Sequence, residues 1–231
     1  MQEVADELTK MGPGTCYPIV ADISTKAGCD SLADEIKKRE SKIHVLVNNS
    51  GVTWGAPLFN FPEQKGWDNL FALNVKAIFY SSVAFFPLLA KDSNNLDPGR
   101  IINISSIAAV SPVAEGQLSA PGNGTYSYQP SKAAAAHLSR VLANTWNDKN
   151  VTVNCVMPGL FESRMTTYGM AHHEKEITAG QPSGRIGETE DMAGLAIFLA
   201  SRGSAHITGV SFPIDGGTIL GGKTRVTEAK I

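Results

Sequence analysis

Short apolar runs alternate along this chain with longer stretches of helical spacing. The opening segment, MQEVADELTKMG, carries Val4, Leu8 and Met11 at the separations of an amphipathic helix. CYPIVAD (16–22) reads as a short strand, and SLADEIKKRE (31–40) as a helix that ends in a basic cluster. IHVLVNNSG (43–51) is a continuous apolar strand that stops at Asn and Gly. A long helix is predicted from about Trp67 to Leu89, and RIINISS (100–106) is a further buried strand. A Gly/Pro/Ser-rich loop follows over roughly 107–125, then a helix from Tyr128 to about Asn147. VTVNCVMPG (151–159) is a strand, 160–188 is polar with Met and His, ETEDMAGLAIFLAS is a short helix, and VSFPIDGG (210–217) is the last strand. Apolar strands separated by helices predict a doubly wound parallel sheet with helices on both faces, an α/β fold. Ligands bind such sheets beyond the carboxyl ends of the strands, where NNSG, ISS and MPG put small and polar residues at one edge.

Composition narrows the picture. With 231 residues, 42% of them hydrophobic, the chain suits one globular domain, and no repeat or compositional shift divides it. A net charge of −2 gives no electrostatic case for nucleic acid or an anionic membrane. The chain has no run of about eighteen apolar residues, so no membrane span is expected. The start lacks the apolar core of a signal peptide. The three cysteines, Cys16, Cys29 and Cys155, are odd in number and suggest reduced thiols in a cytoplasmic setting. The five histidines are scattered apart from His172-His173, and no metal site is expected.

The chemistry-bearing residues lie at or near the predicted strand ends. Tyr128 and Lys132 form YQPSK, and a separation of four puts both on one helix face. An adjacent ammonium favours the phenolate, which would bring a Tyr hydroxyl towards proton exchange near neutral pH. Alone, such a pair also suits a plain surface helix. Pro130 fits the first helical turn, where no N–H is needed. Ser106 ends RIINISS and can donate to a substrate oxygen that gains negative charge. Ser105 competes with it, and strand alternation does not separate them. Asn74 sits in LNVKAIF, a poor helix-interior residue that invites a specific role such as holding a relay water. Asn48 begins NNSG, where small residues permit close backbone approach to a ligand. Asp22 follows a strand and suits either a ligand contact or a helix N-cap. The MPGLFES exit carries Pro158, Gly159, Phe161 and Ser163, and either offers backbone groups to a carboxamide or makes a simple turn.

Taken in order, NNSG, Asn74, ISS, YQPSK, PG and IDGG resemble the classical short-chain dehydrogenase/reductases over nearly the whole chain. That resemblance implies a Rossmann-like fold and a catalytic tetrad of Asn74, Ser106, Tyr128 and Lys132. It implies adenine contacts at Asp22 and Ile23, an adenosine-ribose region at NNSG with Asn48, and ribose contacts from Tyr128 and Lys132. Nicotinamide contacts fall after Pro158-Gly159, with Phe161 acting by its backbone and Ser163 where the family often has Thr. GVTWGAPL, YSYQPSKAA and PGLFESRMT are similar to the rhamnolipid-type 3-oxoacyl-(acyl carrier protein) reductases. This implies reduction of a 3-oxoacyl or similar carbonyl with NADP(H), NAD being the alternative, by a homotetramer or homodimer. Two features depart from the family pattern. Ser106 and Tyr128 stand 22 positions apart, a longer interval than usual, so 107–127 is expected to form an extended flap, with 160–188 as a second substrate-side loop. The family's first strand and its T-G-x-x-x-G-x-G turn have no counterpart here, nor does the strand that selects NAD or NADP. The expectation is a single domain, 1–231, lacking the first βαβ portion, with a late-starting gene model or isoform as the simplest explanation. Two other functions stand beside an oxidoreductase. One is a non-catalytic or unstable product that binds cofactor poorly. The other is an epimerase or dehydratase of the extended branch, against which the closeness of PIDGG to the end argues.

Overall fold

The computed structural model describes residues 1–221. Four strands form one sheet: β1 (Val45–Asn48), β2 (Gly99–Ile104), β3 (Val151–Pro158) and β4 (Ser211–Ile214). They pair in sequence order and all run parallel, as the alternation of strands and helices predicts. Each return to the next strand passes through helix. After α1 (Gln2–Met11) and α2 (Lys26–Lys37), one long helical stretch covers Glu63–Ala90. Within it, π-helical turns at Glu63–Asp68 and Ala72–Lys76 flank α3 (Asn69–Phe71) and lead into α4 (Ala77–Ala90). The remaining helices are α5 (Tyr128–Trp146), α6 (Thr167–Gly180) and α7 (Thr189–Ala200).

Strand alternation gives the sheet two cores. Ile101 and Val153 point to one face, where they pack with Phe85, Leu89, Leu142 and Trp146 of α4 and α5. Ile102 and Val156 point to the other, against Leu199 of α7. Both faces are thus covered, which is why these strands carry apolar residues on both sides. By length and composition Glu63–Ala90 could cross a membrane. Here its apolar residues have another use: Ile78, Phe85, Leu88 and Leu89 are buried in the body of the protein.

One predicted strand is absent. Residues 16–22 form no strand, and Val20 is 88% exposed. A strand exists by hydrogen bonding to a neighbour, and no strand among the described residues lies beside this one. The outer edge of β1 is likewise unpaired among the described residues. A second difference is α6, a helix inside the segment expected to be a loop, with non-helical backbone at His173.

Candidate active site

The carboxyl ends of the strands are joined by a polar row. The register aligns Asn48 with Asn103, Asn103 with Cys155, and Cys155 with Ser211. Asn48 Nδ2 donates to Asn103 Oδ1 at 2.7 Å and to Ser82 Oγ at 3.2 Å. Asn103 Nδ2 donates to Ser139 Oγ of α5 at 2.9 Å. The row pins β1, β2 and α5 together just below the site, because polar groups buried there must find partners. Asn48 is therefore turned towards its neighbours, while Asn49, Ser50 and Gly51 line the large cavity above.

That cavity, about 1650 Å³, opens over the strand ends and is lined by Ser106, Tyr128 and Lys132. Lys132 Nζ lies 5.5 Å from the Tyr128 ring centroid and donates to the Ile104 carbonyl at 3.1 Å. Burial pushes the Lys132 pKa down to about 8, with the nearby Cys155 acting in the opposite direction. Burial also dominates at Tyr128, whose pKa is raised, while a hydrogen bond with the Ser106 side chain acts to lower it. The lowering expected from Lys132 does not appear: desolvation of the buried phenol sets the direction, and it is the Ser106 hydrogen bond that opposes it. Ser106 Oγ accepts from Ala108 N–H at 3.1 Å and faces the Pro158 carbonyl at 3.4 Å. Its neighbour Ser105 is buried and its hydroxyl is spent on the Lys132 carbonyl at 2.6 Å. Both serines line the cavity, and they differ in that the Ser105 hydroxyl is engaged by the Lys132 carbonyl while Ser106 has a hydrogen bond with Tyr128.

Asn74 is fully buried within the second π-helical turn. Its Oδ1 accepts from Val52 N–H at 2.9 Å, and its Nδ2 donates to the Val52 carbonyl at 2.9 Å and to Ser131 Oγ at 3.0 Å. Asn74 thereby ties the loop after β1 to the helix that carries Tyr128. Gly51 sits where these groups converge. A Cβ there would come within 3.2 Å of Asn74 Oδ1 and 3.3 Å of Lys132 Nζ.

Past β3, Pro158, Gly159, Phe161 and Ser163 all line the same cavity. Gly159 N–H is used by the Ile214 carbonyl at 2.9 Å, and the Phe161 carbonyl accepts from Thr166 Oγ1 at 3.1 Å. Ser163 N–H donates to Thr166 Oγ1 at 2.9 Å, which shapes the turn into α6. Asp22 and Ile23 lie apart from these residues. Asp22 borders a separate cavity of about 500 Å³ with Pro18, Ser31 and Arg39. The Ser24 side chain, and after it the Ser24 N–H that donates to Oδ1 at 3.0 Å, lower the Asp22 pKa, and Thr25 rather than Asp22 caps α2. Gln129, Leu118 and Tyr168 also face the large cavity. Leu118 and Tyr168 belong to the segments 107–127 and 160–188 expected on the substrate side, though neither residue stands out there, and Gln129 follows Tyr128 by one position.

The flap is tied at its base. Gly124 and Ala56 exchange backbone hydrogen bonds at 3.0 and 3.2 Å, and Thr125 N–H donates to the Ala114 carbonyl at 2.9 Å. Gln129 Nε2 holds the Val113 carbonyl at 2.7 Å, and the Tyr126 hydroxyl donates to Glu115.

A family model described as enoyl-(acyl carrier protein) reductase matches residues 1–218. The chain is 39% identical over 217 residues to a rhamnolipids biosynthesis 3-oxoacyl-[acyl-carrier-protein] reductase of Pseudomonas aeruginosa, covering 92% of this chain and 81% of that one. It is 32% identical to a 2-dehydro-3-deoxy-D-gluconate 5-dehydrogenase of Dickeya dadantii, covering 94% and 81%. Among solved structures, the Pseudomonas aeruginosa RhlG/NADP active-site complex aligns with a TM-score of 0.84 at 38% identity, over 93% of this chain and 80% of that one. A Beutenbergia cavernae protein described as a putative NAD(P)-dependent gluconate 5-dehydrogenase with bound NADP aligns with a TM-score of 0.81 at 32% identity, over 95% and 82%.

Proposed function

The chain belongs to the short-chain dehydrogenase/reductases, and from that premise we propose that it reduces a 3-oxoacyl or similar carbonyl to an alcohol using NADP(H). The observation that carries this reading is the convergence of Ser106, Tyr128 and Lys132 on one cavity at the strand ends. Gly51 supports the cofactor's place: with no side chain, it leaves the approach to Lys132 open to a ribose. Pro158, Gly159, Phe161 and Ser163 would hold the carboxamide end. Asn48 supports that floor by fixing β1 to β2, and Asp22 and Ile23 are assigned to the adenine side. The acyl preference over a sugar acid rests on the apolar walls contributed by Leu118, Met165 and Ile177.

NADPH, when bound, supplies hydride to the substrate carbonyl carbon. The protein's own groups handle the oxygen. Ser106 Oγ donates to it as negative charge develops. Tyr128 then gives up its phenolic proton. Burial that raises the Tyr128 pKa keeps that proton in place at neutral pH, the state a general acid requires. Lys132, with a pKa near 8, is mostly ammonium at neutral pH and stabilises the phenolate left behind. Asn74 holds the Val52 loop and Ser131 so that α5 presents Tyr128 to the cavity. Oxidation of NADPH at millimolar concentration by a 3-oxoacyl thioester tests the reading. Turnover of a keto-gluconate with none of the thioester would replace the acyl assignment with a sugar-acid one.

The same family membership supports a homotetramer or homodimer. Phe79 and Val83 of α4 and Val141 of α5 leave apolar surface for it, each 40–47% exposed. Light scattering that gives a monomer at micromolar concentration would remove this part. The free cysteines Cys16, Cys29 and Cys155 fit a cytoplasmic location.

A further inference from the structure

The flap and α6 are distant in sequence and both irregular, yet they meet at one point over the cavity. Gly169, in the first turn of α6, is buried. A Cβ on it would lie 2.7 Å from Leu118 Cδ2, 3.0 Å from the Gln117 carbonyl oxygen and 3.1 Å from Leu118 Cα. Two of those three atoms are backbone, so the flap could not accommodate a side chain by moving a side-chain tip alone. Leu118 and Gln117 on one side, and Tyr168 on the other, line the same cavity. The contact therefore joins two separate walls into a roof. Elsewhere the flap is held by backbone bonds at Ala56 and Ala114, by the Gln129 side chain and by Tyr126, which bonds Glu115 and packs edge-on against Phe61.

We propose that Leu118 and Gly169 form a seam that closes the substrate cavity and sets the length of apolar chain it accepts. This rests on the acyl-reductase reading for the identity of the substrate, but not for the existence of the seam. An acyl tail leaving the carbonyl at Tyr128 would pass beneath Leu118 towards Met165 and Ile177, all three on the cavity wall. With the seam shut, the tail is confined and shielded from water. With it open, a long tail loses one wall while a short tail, ending nearer Tyr128, does not.

Two measurements on the full chain test this, one of which needs no substrate. In hydrogen exchange, Gly169→Ala is expected to speed amide exchange in residues 111–124 at least severalfold, leaving β2 and β3 unchanged. In steady-state kinetics at fixed millimolar NADPH, it is expected to lower kcat/KM for a 3-oxodecanoyl N-acetylcysteamine thioester about tenfold relative to the 3-oxobutanoyl one. Leu118→Ala should shift the same ratio in the same direction, and the double variant should be no worse than either single variant, because both remove one contact. Unchanged exchange in a folded Gly169→Ala protein overturns the seam. Faster exchange with an unchanged chain-length ratio, or two additive losses, overturns its role in specificity. A wild-type chain inert to both thioesters overturns the acyl-reductase reading and with it the chain-length role, while the exchange result still decides the seam.

Discussion

Tyr128 and Lys132 share a helix face, and burial acts on them in opposite directions. It keeps the phenol protonated and weakens the hold of the ammonium on its proton. Two predictions follow from that pair. Tyr128→Phe removes the general acid, so reduction should fall about a hundredfold or more at saturating NADPH, with cofactor affinity near that of the parent chain. Near-parental turnover in a stopped-flow or steady-state assay would refute the assigned role. Lys132 carries a stability cost as well as a function. Its pKa in the folded protein, about 8, lies below the ordinary 10.5, so the unfolded chain binds the extra proton between those values. Stability should therefore rise as pH climbs from 8 to 10.5, and the cost of burying the charge is fully present below 8. The shift corresponds to roughly 3 kcal/mol as an upper figure, from which the lost hydrogen bond to Ile104 subtracts. Lys132→Met should be more stable than the parent at pH 7, with the advantage fading by pH 10.5, while turnover and cofactor affinity both drop. Urea melts at the two pH values check the sign, and a variant less stable at pH 7 contradicts it. These residues were legible because helix spacing alone puts Tyr128 and Lys132 side by side. The direction of the Tyr128 shift was not, because it depends on how deeply α5 is buried, which no spacing reveals.

At the scale of elements, close backbone packing explains both what was legible and what was not. β2 begins at Gly99, where a Cβ would stand 2.4 Å from the Leu89 carbonyl oxygen at the end of α4. Gly99→Ala is expected to push α4 from the strand and cost about 1–3 kcal/mol, read as a lowered urea midpoint with unchanged slope. A loss below a few tenths of a kcal/mol would mean that the two elements separate freely there. The strands β1, β2 and β3 were readable because apolar residues fall on both sides of each, as covered sheet faces require. Residues 16–22 carry a similar run but make no strand, because strand formation is decided by a neighbour and not by the run itself. The turn of Asn48 away from the cavity was equally hidden, since it depends on register against Asn103. The meeting of Leu118 with Gly169 joins two irregular segments about fifty residues apart, and nothing periodic in either announces it. The interval between Ser106 and Tyr128 announces a long connection there, but not its ties to Ala56 and Ala114.

For the whole molecule, the question is what these 231 residues by themselves offer a dinucleotide. The nicotinamide end is dense with candidate partners: Tyr128, Lys132, Gly51 and the exit after β3 all face one cavity. Asp22, assigned to the adenine end, borders a different cavity, and the residues beside it make no strand. Between the two ends lies the pyrophosphate, whose negative charge requires donors that replace its water. In the family a Gly-rich turn and a helix N-terminus provide them, and these 231 residues contain no such turn. Each charge-assisted hydrogen bond is worth roughly 1.5–3 kcal/mol, so two missing bonds cost about a hundredfold or more in affinity. The 231-residue chain is therefore expected to bind NADPH at least about a hundredfold more weakly than the Pseudomonas aeruginosa reductase it resembles. Activity should then need millimolar cofactor, with KM for NADPH raised far more than kcat is lowered, since the groups that act on the substrate oxygen are all present. The edge of β1, unpaired among the described residues, adds an expectation of its own: self-association through that edge as concentration rises. Titration calorimetry of the two proteins side by side, at a concentration where light scattering finds no aggregates, separates the two effects. Low-micromolar NADPH binding by this chain would mean that other residues serve the pyrophosphate and that the Gly-rich turn is dispensable here.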